Sequence, residues 1–245
     1  MNITGQTVLI TGGASGIGLA VAKKLARLNN QVIIAGRDPR KLEAACAEVK
    51  ELIAIPCDIS KEEQRLSLAS EVAERYPKLT LLINNAGIQF QSRFDSNPPS
   101  LEAIHEEMET NFVAAVRLIA LMIPSLLKQP EAGIINMSSG LAIAPKAGAP
   151  IYCASKAALS AFSRSLRYQL EPTPVRVFDV LAPLVDTAMT EGRGKGKISP
   201  ERFADELVAG VAKDKYVLHV GKTKYLYALS RLLPKLAYQI TKNGL

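Results

Sequence analysis

The sequence is poor in cysteine and histidine and contains no long apolar run. Its three cysteines, Cys46, Cys57 and Cys153, are odd in number and widely spaced. They form no C-x-x-C pair and no Cys/His cluster able to hold a metal. His105 and His219 likewise have no partners at metal-ligand spacing, so a reduced, metal-free interior is expected. No stretch reaches the ~18 consecutive apolar residues of a membrane span; the nearest, Leu118 to Leu127, is interrupted by Pro124. Strand-like sequence begins at Thr7 and runs straight into a glycine-rich turn, leaving no room for a secretory signal. The expectation is a soluble, cytoplasmic protein.

Acidic residues are nearly missing from one region. From Lys213 to the end, seven Lys/Arg face one acid, Asp214, so this tail carries most of the net charge of +7. Nucleic-acid binding through it would call for stacking aromatics among the charges, and Tyr225, Tyr227 and Tyr238 are available. A basic amphipathic tail can also lie on an anionic membrane. The plainer reading is a helix packed over a substrate cleft or against a subunit partner.

With 245 residues, 48% hydrophobic and 22% charged, the composition suits one α/β domain spanning 1–245. Short β-branched runs alternate with amphipathic stretches: Thr7 to Ile10, Gly18 to Arg27, Gln31 to Ala35, Arg40 to Val49, Leu52 to Pro56, Lys61 to Arg75, Leu79 to Ile83. A long helix (Ser100 to Leu127), a strand (Gly133 to Met137), a helix (Tyr152 to Leu170) and a strand (Val175 to Leu181) follow. This alternation predicts right-handed βαβ crossovers and a Rossmann-like, doubly wound parallel sheet in an αβα sandwich. A cofactor half is expected over about 1–130 and a catalytic and substrate half over 131–245. Glu191 to Lys197, E-G-R-G-K-G-K, reads as a mobile loop.

After the first strand comes Thr11-Gly12-Gly13-Ala14-Ser15-Gly16-Ile17-Gly18, then a helix. Glycines let backbone turn tightly and approach a pyrophosphate, whose charge sits against the free N–H groups of the helix N-terminus. Gly12, Ser15, Gly16, Ile17 and Gly18 are therefore candidate cofactor residues. Strand two ends Gly36-Arg37-Asp38-Pro39. Arg at this place accommodates the 2′-phosphate of NADP, where an acid would select NAD. Asp38 before Pro39 reads as a helix cap. NADP (NADPH) is the expected cofactor, with NAD the alternative. Ser60 and Glu63 are spaced as a capping box, which would leave Asp58 free.

Tyr152 and Lys156 stand four apart, hence on one helix face. A phenol of pKa about 10 is a poor acid or base at neutral pH. A unit charge at ~4 Å and an effective dielectric near 20 is worth ~4 kcal/mol, about 3 pH units, enough to bring a tyrosine near neutrality. Tyrosine and lysine at this spacing are also common on helix surfaces, so context decides.

The T-G-x-x-x-G-x-G turn, Asn84-Asn85-Ala86-Gly87, and Tyr152-Cys153-Ala154-Ser155-Lys156, in that order, resemble the short-chain dehydrogenase/reductase family over residues 5 to about 190. The resemblance implies Ser139, thirteen residues before Tyr152, as the residue holding the substrate oxygen, and Asn111 as a fourth catalytic group that kinks the long helix and holds a proton-relaying water. It implies Asp58 and Ile59 at the adenine, Asn85, Ala86 and Gly87 as cofactor wall, and the Val185 backbone and Thr187 side chain at the nicotinamide amide. Ser138 is expected to contact backbone. The mechanism implied is hydride transfer from NADPH to a carbonyl, with Tyr152 as general acid/base and Lys156 binding the ribose. A small carbonyl or secondary-alcohol substrate and a homodimer or homotetramer are implied with it.

Two departures concern the substrate side. Ala182-Pro183 stands where the family has Pro-Gly, and the lid segment Met189 to Ser199 is short with three glycines. Arg193, Lys195 and Lys197 there read as a solvated basic loop, while Leu141, Ile143, Ala144, Pro145 and Phe90 suggest an apolar pocket. The tail resembles a subgroup named after a lipoteichoic-acid operon oxidoreductase. A non-catalytic NADP-binding regulator is the competing reading, for which the intact Ser/Tyr/Lys set is unexpected.

Overall fold

In the computed structural model, which describes residues 1–244, seven strands form one parallel sheet in the order β3-β2-β1-β4-β5-β6-β7. The strands are β1 (Thr7–Thr11), β2 (Gln31–Gly36), β3 (Leu52–Pro56), β4 (Leu79–Asn84), β5 (Ala132–Ser139), β6 (Val175–Ala182) and β7 (Val217–His219). β1 and β5 are buried along their whole length, as their near-continuous apolar sequences require of strands covered on both faces. The order reverses between β1 and β4, which opens a crevice at the carboxyl ends of the strands.

One core lies on each face of the sheet. Val8, Ile10, Val32 and Ile34 pack with helices α1 (Gly16–Ala26), α2 (Pro39–Glu48) and α7 (Pro200–Ala212). Leu9, Ile33, Leu82 and Ile134 pack with α3 (Glu62–Arg75), α5 (Ala114–Leu126) and α6 (Pro150–Leu170). Adjacent strand positions therefore feed opposite layers. Asp38 caps α2 through Arg40 N, with Pro39 in the first turn, as the sequence predicts.

The long helix is three pieces in one run: α4 (Leu101–Met108), a π-helical turn (Glu109–Val113) and α5. The interruption contains Asn111, the residue at which the sequence leads one to expect a kink. By length and composition Leu101–Leu126 is apolar enough to cross a membrane, although it lacks the consecutive apolar run sought in the sequence. In the fold, Ala114, Ala115, Leu118, Ile119, Met122 and Leu126 are buried against the sheet and its neighbours.

The basic tail forms α8 (Thr223–Leu232) and α9 (Pro234–Thr241). Leu226 and Ala237 anchor these helices over Ala144, and Ala147 N donates to Lys242 O. Tyr225, Leu232, Leu233, Leu236, Tyr238 and Ile240 stay exposed. In the loop 191–197, Gly192, Gly194 and Gly196 all have left-handed φ. Lys197 ties it down through Asp186 and Thr190 O.

Candidate active site

Two cavities meet at the crevice. The first, about 540 Å³, runs from the glycine turn past the ends of β2 and β3 to Tyr152 and Lys156. Gly12 and Gly16 have φ of +65° and +52°. A Cβ on Gly18 would stand 2.2 Å from Gly12 O, so side chains are excluded where the turn closes on α1. Ser15 sits at the N-cap of α1 without a side-chain capping bond, leaving the first N–H groups of the helix facing the cavity. This is a cradle for a phosphate-bearing ligand by shape and by dipole.

Gly12, Ser15, Gly16, Ile17, Gly18, Arg37, Asp58, Ile59, Asn85, Ala86, Gly87 and Thr187 all line this cavity. Val185 does not: it is buried in the core behind the wall, and its carbonyl accepts from Thr190 Oγ1 at 2.6 Å. Lys41, one helical turn beyond Arg37, joins the lining although sequence reasoning passed over it. Arg37 is exposed and only loosely paired, 3.8 Å from Glu106.

Two local expectations are corrected. Ser60 and Glu63 do not form a capping box, because α3 starts at Glu62 with Lys61 at its N-cap. The Ser60 hydroxyl and amide instead donate to Asp58 Oδ1 at 2.8 and 3.0 Å. One oxygen of Asp58 is thus committed to its own turn. Asn85 lines the cavity, yet its amide donates to Thr11 O and Gly12 O at 3.0 and 3.1 Å, tying β4 to the glycine turn.

At the inner end, Asn111 clamps the chain after β4: its Oδ1 accepts from Ile88 N at 2.8 Å while its Nδ2 donates to Ile88 O and Ser155 Oγ. Every polar atom of the amide is bonded, which satisfies a nearly solvent-free side chain. Ser138 donates to Lys156 O, the expected backbone contact. Ser139, at the end of β5, accepts from Leu141 N and faces the second cavity. Tyr152, at the start of α6, lines both.

The lysine does not tune the tyrosine as the simple charge argument expects. Lys156 Nζ donates to Met137 O at 2.9 Å and lies 5.8 Å from the centre of the Tyr152 ring. Burial pushes the phenol up to about 12, offset in part by a hydrogen bond with Ser139. Burial also pulls the lysine down to about 8, against the attraction of Asp179 and Glu107. A Coulomb estimate at fixed separation omits this desolvation of both groups.

Glu107 was missed in the sequence. It is buried, accepts from Phe90 N at 3.0 Å and is raised by burial, with Lys156 acting to lower it. Its spacing of four residues before Asn111 puts both on one helix face, a signal that was available. Asp179, in β6, is the second carboxylate acting on Lys156; it accepts from Ser160, and its Oδ1 has no partner.

The second cavity, about 980 Å³, opens from Ser139 and Tyr152 toward the loop 191–197 and the tail helices. Of the apolar residues expected around it only Leu141 lines it. Ile143, Ala144, Pro145 and Phe90 do not, and Leu184, Met189, Leu226, Leu229 and Ile240 take their place. Arg193 and Lys195 face this cavity, and Arg193 donates to Gln89 at 2.5 Å, so the loop is not simply solvated. Among the described residues no cluster of metal-ligating side chains is present, and the three cysteines are free thiols.

A family model described as short chain dehydrogenase matches residues 6–197. An uncharacterized oxidoreductase, DltE, of Bacillus subtilis is 42% identical over 221 residues, covering 88% of either chain. A fatty acyl-CoA reductase of Acinetobacter baylyi is 30% identical over 231 residues, 90% of this chain and 78% of that protein. Among solved structures, a short chain dehydrogenase from Burkholderia cenocepacia in complex with NADP superposes with a TM-score of 0.88 at 25% identity, covering 98% of both chains.

Proposed function

The chain belongs to the short-chain dehydrogenase family of oxidoreductases, and on that premise we propose that it reduces a carbonyl compound, or oxidises the corresponding secondary alcohol, with NADP(H). The observation that carries this reading is that Tyr152 stands where the two cavities join, with Ser139 beside it on the substrate side and Lys156 on the cofactor side. The glycine cradle and the free first turn of α1 fit a dinucleotide pyrophosphate. Arg37 and Lys41, both cationic and both in the lining, fit a 2′-phosphate and support NADP over NAD.

When bound, the nicotinamide would supply the hydride in reduction and accept it in oxidation. Tyr152 gives its proton to the carbonyl oxygen in reduction and takes it back in oxidation. With the phenol pushed up to about 12 it is fully protonated at neutral pH, which suits the donor role. Ser139 orients the same oxygen by hydrogen bonding. Lys156 would hold a ribose hydroxyl of the bound dinucleotide, and its charge, 5.8 Å from the centre of the Tyr152 ring, would favour the tyrosinate formed. Asn111 fixes the segment after β4 and the Ser155 hydroxyl one residue from Lys156. In this reading the protein acts in the cytoplasm as a homodimer or homotetramer.

The test is a panel of ketones and aldehydes followed by NADPH absorbance, with nucleotide binding measured in parallel. Tyr152→Phe should lower kcat by at least about 100-fold, the scale of a lost general acid, while NADPH still binds. Turnover that survives in this variant refutes the mechanism. Strong cofactor binding with no substrate reduced across the panel favours the non-catalytic regulator.

A further inference from the structure

The second cavity has a charge pattern that the proposed chemistry does not use. Its lining includes six cationic side chains, Arg93, Lys146, Arg193, Lys195, Lys222 and Lys242, and no aspartate or glutamate. They come from the loop after β4, the segment before α6, the loop 191–197 and the two ends of the tail. Among the described residues Arg93 is neutralised by Asp95, whereas Lys146, Arg193, Lys195 and Lys222 have no carboxylate within ion-pair distance. Lys146 and Arg193 line the same cavity, and after burial the guanidinium is the main influence holding the lysine below its ordinary value. Like charges gathered in one cavity without counter-charges among the described residues repel one another, and an anion there removes the penalty.

This charge cannot be assigned to the dinucleotide. The pyrophosphate cradle, Arg37 and Lys41 belong to the other cavity, and Tyr152 stands between. Leu141, Leu184, Leu226, Leu229 and Ile240 supply an apolar surface in the same cavity as the cations. The cavity thus combines a hydrogen-bonding point at Ser139 and Tyr152, an apolar wall and a cationic group.

We propose that the substrate is an amphiphile in which an apolar chain joins the reacting carbonyl to a phosphoryl group, the phosphoryl group being held by Lys146 and Arg193. This rests on the oxidoreductase reading for the carbonyl end. A phosphoryl group rather than a carboxylate matches the site because two cations lining one cavity are balanced by a dianion, and Arg presents paired donors to phosphate oxygens.

The experiment measures binding first, without turnover. Octyl phosphate, octanoate and octanol are titrated into the full chain at low salt with and without saturating NADPH. Octyl phosphate should bind at least tenfold more tightly than octanol, lose that advantage as salt rises, and leave NADPH affinity unchanged. Lys146→Gln/Arg193→Gln should bring it to the level of octanol. Equal affinity for octyl phosphate and octanol overturns the proposal, as does an advantage retained by a folded double variant. Displacement of NADPH by octyl phosphate also overturns it, since the phosphate would then occupy the nucleotide cradle. Tighter binding of octanoate than octyl phosphate overturns the phosphoryl assignment. Should the double variant not fold, the salt dependence and the NADPH arm on the unaltered protein decide. A screen of keto-alkyl phosphates separates the two readings. Binding without NADPH oxidation rejects the oxidoreductase reading, whereas turnover of neutral ketones without preferential phosphate binding rejects the amphiphile alone.

Discussion

Replacing Lys156 with methionine should make the protein more stable while abolishing its activity, and the gain should vanish at high pH. The ammonium is buried and makes one hydrogen bond, to Met137 O at 2.9 Å. Its pKa falls from 10.5 to about 8, a figure that already includes the attraction of Asp179 and Glu107. At ~1.4 kcal/mol per pH unit, holding that proton in the folded protein at pH 7 costs about 3 kcal/mol. Met fills the same volume without a charge, and the lost hydrogen bond at Met137 O subtracts about 1 kcal/mol. The net gain is about 2 kcal/mol, which for a chain of this size raises Tm by about 4–8 °C.

The sign of the pH dependence follows from the direction of the shift. The folded-state pKa is depressed, so between about pH 8 and 10.5 the unfolded chain keeps a proton that the folded chain has released, and wild-type stability rises with pH. By pH 10 the charge penalty has dropped below about 1 kcal/mol and Lys156→Met should match the wild type. Calorimetric Tm values for both proteins, without cofactor, at pH 7 and pH 10 check this. A variant less stable at pH 7, or a gain of equal size at both pH values, would refute the reasoning. The outcome expected is a residue kept for function at a cost in stability.

Arg37→Ala should weaken NADPH binding by about 10- to 100-fold, the range of a lost charge-assisted contact, while NADH binding changes little; fluorescence titration distinguishes the two. Arg65→Ala should destabilise the fold by about 3–5 kcal/mol, because it strands Glu109, paired at 2.7 Å and 14% exposed, at the π-helical turn. Arg65→Met/Glu109→Leu should recover most of that loss in a denaturant titration, since neither charge is then left alone. Gly18→Ala places a Cβ 2.2 Å from the Gly12 carbonyl, so the turn must open. NADPH binding should fall below detection by calorimetry, and retained affinity would show that the turn is not the cradle.

Much of the fold was legible because it is written locally. Apolar strand runs alternating with helical stretches, the Asp38-Pro39 cap and the glycine turn all act within a few residues, and the structure has them where they were expected. Local reading failed where two local motifs competed. Ser60 could cap α3 or bond Asp58, and the shorter-range partner took it. At Val185 the structure adds what the spacing does not say: the residue is buried and its carbonyl accepts from the Thr190 hydroxyl. Glu107 was readable from its four-residue spacing to Asn111, but nothing in the spacing says that the carboxylate is buried beside Phe90 N.

The sequence by itself determined the sheet, the phosphate cradle and the residues gathered around Tyr152, since each depends on short-range geometry and on order along the chain. Tertiary structure alone decided the energetics of the proton and the character of the substrate cavity. Burial, which no spacing encodes, drives the Tyr152 phenol up to about 12 and the Lys156 ammonium down to about 8. The cations of the second cavity come from segments far apart in the chain, among them Arg193 and Lys195 in a loop that reads as solvated on its own. Only the packing of α8 and α9 over Ala144, with Thr223 and Leu226 beside Gly140 after β5, brings the basic residues of the tail to the same cavity as that loop.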